Sequence, residues 1–371
     1  MNSVCMDTLR LFQFRNYEQE VIRFQTGLNV ICGNNAQGKT NLLESVFFLG
    51  AGKSCRTSRE REMIRAGQTE SRVMAEFIAE GRRQTVEAKI YQQARRVFLH
   101  NGVKLKSPRE LLGRLPCVFF GQEEMGIVRA GASARRKFID VALCQLRPRY
   151  MILLAEYNRI HLHKTRLLRE NDSNSAMGKV LPDFNRRLAQ VGAVLTAYRD
   201  AFMQRIAANA ATIYREATKG REKLCLSYQT RPVYDENKPE IERIHELYAL
   251  LMEKERAEWS AGRCLLGSHK DDVDIKINDM SARDYGSQGQ TRTAALAMKL
   301  AERQVFCEEL GAFPILLLDD VLSELDIERQ AFVLNRVGEG QVMITCCDEG
   351  NLKEQKQKNT IRVNNGRITT E

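Results

Sequence analysis

One octapeptide restricts what this chain can fold into. Gly33-Asn34-Asn35-Ala36-Gln37-Gly38-Lys39-Thr40 fits the pattern G-x-x-x-x-G-K-[ST]. The pattern needs a strand before it and a helix after it, and both flanks comply. Leu28-Asn29-Val30-Ile31-Cys32 reads as a buried strand, and Asn41 to Leu49 reads as a helix. Glycines let backbone N–H groups turn inward around phosphate oxygens, and the following helix points its positive end at the same place. Gly33, Asn34, Asn35, Ala36, Gln37 and Gly38 therefore form a candidate phosphate cradle. Lys39 reaches the β- and γ-phosphates of ATP, and the Thr40 hydroxyl ligates Mg²⁺. The plain alternative is a glycine turn beside a surface lysine. The agreeing flanks and a matching acidic strand far downstream count against it.

That acidic strand is Pro314-Ile315-Leu316-Leu317-Leu318, closed by Asp319-Asp320. Open α/β sheets place ligands at the carboxyl ends of strands, which makes Asp319 the second Mg²⁺ partner beside Thr40. Asp320 is the candidate for polarising an attacking water. The alternative is a pair of acids capping the next helix. Lys39 and Asp319 stand 280 positions apart. A long insertion must leave the sheet and return, and the intervening helical segment is that insertion. The expected class is α/β, a P-loop NTPase with an inserted helical second lobe. The expected division is an ATPase lobe in two parts, residues 1–126 and 263–371, around a helical lobe, residues 127–262.

The 371 residues carry a net charge of +10, which favours an anionic partner such as nucleic acid. The 10 cysteines lie singly except for Cys346-Cys347, and no C-x-x-C suggests a zinc ribbon or redox pair. Scattered thiols suit a reducing compartment. No signal pattern opens the chain and no apolar run is long enough to span a bilayer, so a cytoplasmic protein without membrane attachment is expected.

Thr8–Phe14 and Val21–Phe24 read as strands of a small antiparallel sheet, and Val73–Ala79, Thr85–Tyr91 and Arg96–His100 as a meander. Asn101-Gly102 is a two-residue hairpin signal. The stretch from Gly52 to Arg59 is basic and reads equally as a phosphate neighbour or a solvated loop. Residues 129–170 form the most basic stretch, with an apolar side to bury. A polar break follows over Asn171 to Gly178, then a helix over Phe184–Thr218 and another over Glu240–Trp259. No heptad pattern is sustained enough for a long coiled coil.

Ser287-Gln288-Gly289-Gln290 opens a helix and resembles the signature motif of ABC-type ATPases. It offers a hydroxyl and backbone N–H groups to a phosphate, on a second subunit's nucleotide; the alternative is an ordinary helix cap. Ser323-Glu324-Leu325-Asp326 resembles the D-loop of the same proteins. With Phe14-Arg15-Asn16-Tyr17, Gly38-Lys39-Thr40-Asn41-Leu42-Leu43-Glu44, Lys53-Ser54, Arg56-Thr57, Arg135-Arg136, Phe138-Ile139-Asp140, His269 and Asp271-Asp272, the ordered set resembles the RecF family of bacterial recombination mediators, cousins of the SMC-type ATPases.

The resemblance implies an ABC/SMC-type head without a long coiled-coil arm. It implies a dimer closed by ATP and gripping DNA at single-strand gaps beside duplex, within DNA repair, replication and the SOS response. Partners of the RecR and RecO type help RecA replace single-strand-binding protein there. Lys39 and Thr40 take the phosphate and Mg²⁺ positions, Asp319 the acidic metal position, Asp320 the water-activating one and Ser287 the trans serine. Thr345 matches a switch position that is often His in ABC proteins. Gln122, in Phe120-Gly121-Gln122-Glu123-Glu124, is the candidate Q-loop residue, in place of the family's more usual Pro-Glu-Asp; a plain loop glutamine is the alternative. An Asp where ABC transporters use Glu implies slow turnover. Candidate DNA contacts are Arg56, Arg59, Arg135, Arg136 and Lys137, each with a solvated face or a subunit contact as the alternative. Rival readings are an SMC-like chromosome organiser and the ATPase subunit of a membrane transporter.

Overall fold

The computed structural model describes residues 4–170, 180–336, 338–347 and 358–370. Strands β1 (Cys5–Phe14) and β2 (Tyr17–Arg23) form a hairpin, and β3 (Leu28–Cys32) leads through the P-loop into helix α1 (Lys39–Ala51). Strands β4 (Glu70–Ala79), β5 (Arg82–Tyr91), β6 (Val97–His100), β7 (Val103–Lys104) and β8 (Cys117–Phe120) follow, then the single turn α2 (Gln122–Met125). Helices α3 (Ala132–Leu146), α4 (Pro148–Glu170) and α5 (Leu181–Ala217) precede β9 (Leu224–Gln229), α6 (Glu240–Glu253) and α7 (Glu255–Ala261). The last part holds β10 (Asp272–Ile277), β11 (Met280–Ser281), α8 (Ala282–Tyr285), α9 (Gln288–Leu310) and β12 (Ile315–Leu318). It ends with α10 (Ile327–Arg336), β13 (Val342–Cys346), β14 (Lys358–Asn364) and β15 (Arg367–Thr370).

The central sheet has the order β15-β14-β3-β13-β12-β8 and is parallel except for the β14–β15 hairpin. Strands β8 and β12 read as unbroken apolar runs because both faces are covered. Val30, Val118, Leu316, Leu318 and Ile344 turn to the core shared with α9 and the helical segment. Ile31, Phe119, Ile315, Leu317 and Met343 turn the other way, toward α1. That second core also takes the inner face of a six-stranded antiparallel sheet, β2-β1-β4-β5-β6-β7. Helix α1 is thus enclosed almost all round, which accounts for its lack of a polar face.

The expected small sheet and the separate meander are one sheet, because β1 pairs with β4 as well as β2. Asn101 and Gly102, at φ of 50° and 77°, make the expected left-handed turn between β6 and β7. The helix expected over Glu240–Trp259 is broken at Lys254, and the bend brings Glu258 of α7 to Lys164 of α4, an ion pair at 2.5 Å. Strand β9 pairs with β10 rather than staying within the helical segment, and α5 packs along α9. The longest described helix, α5, has 37 residues, and no described helix is long and apolar enough to cross a membrane. The polar break expected over Asn171 to Gly178 lies outside the described residues.

Candidate nucleotide-binding site

The P-loop is held from two sides. Gly38 sits at φ 119° and caps α1. A Cβ there would meet Asn16 Nδ2 at 2.6 Å, so the cradle closes only around glycine. Asn16 Nδ2 donates to the Gln37 carbonyl at 2.8 Å, and its Oδ1 accepts from Asn41 Nδ2 at 2.8 Å. The Tyr17 hydroxyl donates to the Gly38 carbonyl at 3.0 Å. From the opposite side the β14–β15 turn closes in: the Asn365 N–H donates to Gln37 Oε1 at 2.6 Å and the Gly366 N–H to the Gln37 carbonyl at 3.0 Å. A Cβ on Gly33 would stand 2.3 Å from the Val363 carbonyl oxygen. Lys39 is buried, and Nζ donates to the carbonyls of Gly33 (2.6 Å) and Asn34 (2.9 Å).

Beneath the loop lies Glu44, a fully buried carboxylate on α1. Arg15 grips it with two bonds of 2.8 Å and the Ser54 hydroxyl donates to it. Arg56 stands 4.0 Å from Glu44 and donates to Asn41 Oδ1 at 2.7 Å. The β1–β2 turn, α1 and the segment after α1 are joined here by charge-assisted bonds. A lone carboxylate inside an apolar helix is a signal of such a partner, although the sequence does not say which.

The second half of the site meets the first at its open end. Thr40 Oγ1 donates to Asp319 Oδ1 at 2.9 Å, across 279 positions of sequence. Thr345 Oγ1 donates to the same oxygen at 2.9 Å and accepts the Asp320 N–H at 2.8 Å. Burial pushes the Asp319 carboxyl above its ordinary value, the neighbouring Asp320 charge adds to this, and the Thr345 and Thr40 hydroxyls oppose it. Asp320 holds φ 54°, a costly left-handed conformation for a non-glycine residue. Gln122 Nε2 reaches Asp320 Oδ2 at 3.4 Å. Thr40, Arg56, Gln122, Asp319 and Asp320 line one open pocket.

The residues fit a nucleotide and its metal. The glycine-lined cradle and the lysine within it suit a triphosphate, and the Thr40 hydroxyl beside the Asp319 carboxylate forms a hard oxygen donor pair. Mg²⁺ takes one or two protein oxygens and completes its shell with phosphates and water.

Ser287 lies elsewhere. It is exposed at the start of α9, where its hydroxyl accepts the Gln290 N–H at 3.2 Å and its own N–H donates to Gln290 Oε1 at 2.8 Å. It does not line the pocket at Thr40. The DNA candidates divide. Arg56 faces the nucleotide pocket, while Arg59 and Lys137 are exposed. Arg135 is not a DNA contact: it is 3% exposed, bonded to Asp272 at 2.6 and 2.9 Å, and donates to the Ala130 carbonyl at 2.5 Å. Arg136 donates to the Asp271 carbonyl at 2.7 Å. The arginine pair ties α3 to the start of β10.

This fold and this site define the head of an ABC/SMC-type ATPase. The family model described as "RecF/RecN/SMC N terminal domain" matches residues 5–370. The chain is 35% identical to the DNA replication and repair protein RecF of Clostridium novyi over 337 residues, covering 91% of each chain. It is 36% identical to the protein of that name from Clostridium acetobutylicum over 363 residues, covering 97% of this chain and 98% of the other. The solved structure of "the recombination mediator protein RecF-ATPrS in RecFOR pathway" superposes with a TM-score of 0.93 at 29% identity, over 100% of this chain and 98% of that one. An Smc head from Pyrococcus furiosus, at 16% identity and a TM-score of 0.57 over 99% and 96%, shares the fold. The chain belongs to the RecF family.

Proposed function

We propose that this protein is an ATP-gated DNA-binding clamp of recombinational gap repair and replication restart. Two copies close around two ATP molecules in the cytoplasm, at a junction of single-strand and duplex DNA. Partners of the RecO and RecR type then help RecA assemble. The observation that carries the reading is the Thr40–Asp319 bond of 2.9 Å, which brings together two groups 279 positions apart. Relatives named for DNA replication and repair, and a structural neighbour bound to an ATP analogue in the RecFOR pathway, point the same way.

In this reading the P-loop N–H groups and Lys39 hold the triphosphate. Thr40 and Asp319 would hold Mg²⁺, which supplies charge neutralisation when bound. Asp320 accepts a proton from the attacking water, with the Gln122 amide orienting it. Thr345 fixes Asp319 and the Asp320 backbone together. The ATPase lobe and the helical lobe move as parts of one head, and turnover is slow because the short Asp320 arm serves a switch.

Ser287 completes the partner's site in this scheme. Ser287→Arg is expected to leave ATP affinity within about twofold while abolishing ATP-dependent pairing. The bulky cation blocks the approach, and the lost cap costs only about 1 kcal/mol. Sedimentation velocity with ATP or ADP, with and without gapped duplex, is the test. Normal pairing of Ser287→Arg with ATP ends the trans-serine scheme. Failure of the unaltered protein to pair, under conditions where it binds ATP, ends the clamp itself.

Thr345→Val keeps the shape and deletes the bridging hydroxyl. Steady-state hydrolysis is expected to fall about tenfold with ATP affinity little changed, in line with a lost hydrogen bond of about 1–1.5 kcal/mol. An unchanged rate removes Thr345 from the mechanism.

A further inference from the structure

Exposed basic residues lie outside the helical stretch where the sequence concentrates them as well as on it. An open groove of about 980 Å³ runs between the short 3₁₀ turn Glu60–Met63, the β5–β6 connection and the end of β7. Arg59, Arg61, Arg95, Arg96, Lys104 and Lys106 line it, against the carboxylates of Glu60 and Glu62. Arg96 pairs with Glu60 and stacks over Phe98 at 5.2 Å, and Arg59 stands 3.9 Å from Glu62. Arg61, Arg95, Lys104 and Lys106 are exposed, and none has a carboxylate partner within 4.0 Å among the described residues. The helical stretch is mixed: Arg147 pairs with Glu309 and Lys164 is sealed against Glu258, while Arg149, Arg159, Arg166 and Arg169 are exposed but do not line the groove.

We propose that this groove seats the sugar–phosphate backbone of DNA. The inference rests on the DNA-binding reading above and gives that reading its surface. Four free cations spread along a trough suit a repeating polyanion better than one small anion. Phosphate contact alone gives affinity without sequence choice.

The groove is also wired to the nucleotide pocket. Ser54 bonds to Glu44 under the P-loop, and Arg56 lies in the pocket beside Asp319. One residue on, Thr57 Oγ1 donates to Glu62 Oε2 at 2.6 Å, and Glu62 belongs to the groove wall. Seven residues of chain thus connect Ser54 to Glu62. DNA in the groove and ATP in the pocket act on one segment, so whatever factor one imposes on the other's affinity is returned in equal measure.

The test uses the full-length protein, fluorescently labelled gapped duplex and anisotropy at several salt concentrations with ATP present. Arg95→Glu combined with Lys106→Glu is expected to weaken DNA binding at least about tenfold and to flatten the slope of log affinity against log salt by about 2. Nucleotide affinity measured without DNA stays within about twofold, and Arg166→Glu on α4 leaves DNA affinity within about twofold. Formaldehyde cross-linking of the unaltered protein to the duplex, read by mass spectrometry, is expected to mark Lys104 and Lys106. Wild-type affinity and salt slope in the double variant, cross-links confined to α4, or equal competition by an acidic peptide of matched charge each overturn the groove. If the unaltered protein binds no duplex at low salt, the DNA-binding reading falls and takes the groove with it. If it binds and the double variant binds equally, only the groove assignment falls.

Discussion

Lys39→Ala is expected to weaken ATP binding by about 100-fold or more and to reduce hydrolysis to background. The side chain is buried within the loop, with Nζ held by the Gly33 and Asn34 carbonyls at 2.6 and 2.9 Å. Its charge is therefore positioned before any phosphate arrives, and little reorganisation is needed on binding. A charge-assisted hydrogen bond contributes about 1.5–3 kcal/mol, and a lysine with two phosphate contacts exceeds one such bond. The fold should survive, because the loop is gripped separately through Asn16, Tyr17 and the β14–β15 turn. Titration with a fluorescent ATP analogue measures the effect, and circular dichroism checks the fold. A loss under about threefold would show that the backbone cradle alone binds the triphosphate.

Arg199→Met should produce the largest loss of stability, about 3–5 kcal/mol. Arg199 is 3% exposed on α5 and binds Asp140 at 3.0 and 3.2 Å, the Tyr150 hydroxyl at 2.9 Å and the Ser268 carbonyl at 2.6 Å. It also stands 3.4 Å from Asp271, which accepts the Tyr228 hydroxyl at 2.6 Å. Methionine fills the volume but leaves Asp271 buried without its cation. Burial already holds the Asp271 carboxyl above its ordinary range, with Tyr228 and Arg199 pulling it down. Without Arg199 it rises further. A carboxyl whose folded pKa is raised costs stability once the pH exceeds its unfolded value, so the variant's deficit should shrink as the pH falls toward about 4. Urea denaturation across pH tests both statements. Arg199→Met with Asp271→Asn should recover part of the loss. A deficit under about 1 kcal/mol, or one that ignores pH, would mean the network carries little.

The P-loop and the acidic strand were legible because their signals are local. Glycine spacing, an apolar run before it and a helix after it all fall within residues 28–49, and Leu316-Leu317-Leu318-Asp319-Asp320 is equally short. Partnerships across long sequence distance were not legible. Nothing near Arg135 announces Asp272, 137 positions on, so an arginine that seals α3 to β10 reads as a cation awaiting DNA. The single antiparallel sheet was missed for the same reason, since β1 meets β4 about 65 positions later. The break at Lys254 accompanies the approach of Glu258 to Lys164, a contact across the chain that no helical periodicity contains. Of the groove's cations the sequence marked only Arg59; Arg61, Arg95, Lys104 and Lys106 are dispersed along the chain, and total charge by segment pointed to residues 129–170 instead.

The strand order of the central sheet also sets a timetable for synthesis. Strand β3 bonds to β13 and β14, and β8 bonds to β12. No ladder of that sheet can close until residue 315 has left the ribosome. At about 5–20 residues per second, the P-loop strand waits roughly 15–60 s for its neighbours. The antiparallel sheet needs nothing beyond residue 104 to pair its strands. During that delay it is the ready surface for covering α1, and the apolar strands made early must be shielded by it or by a chaperone.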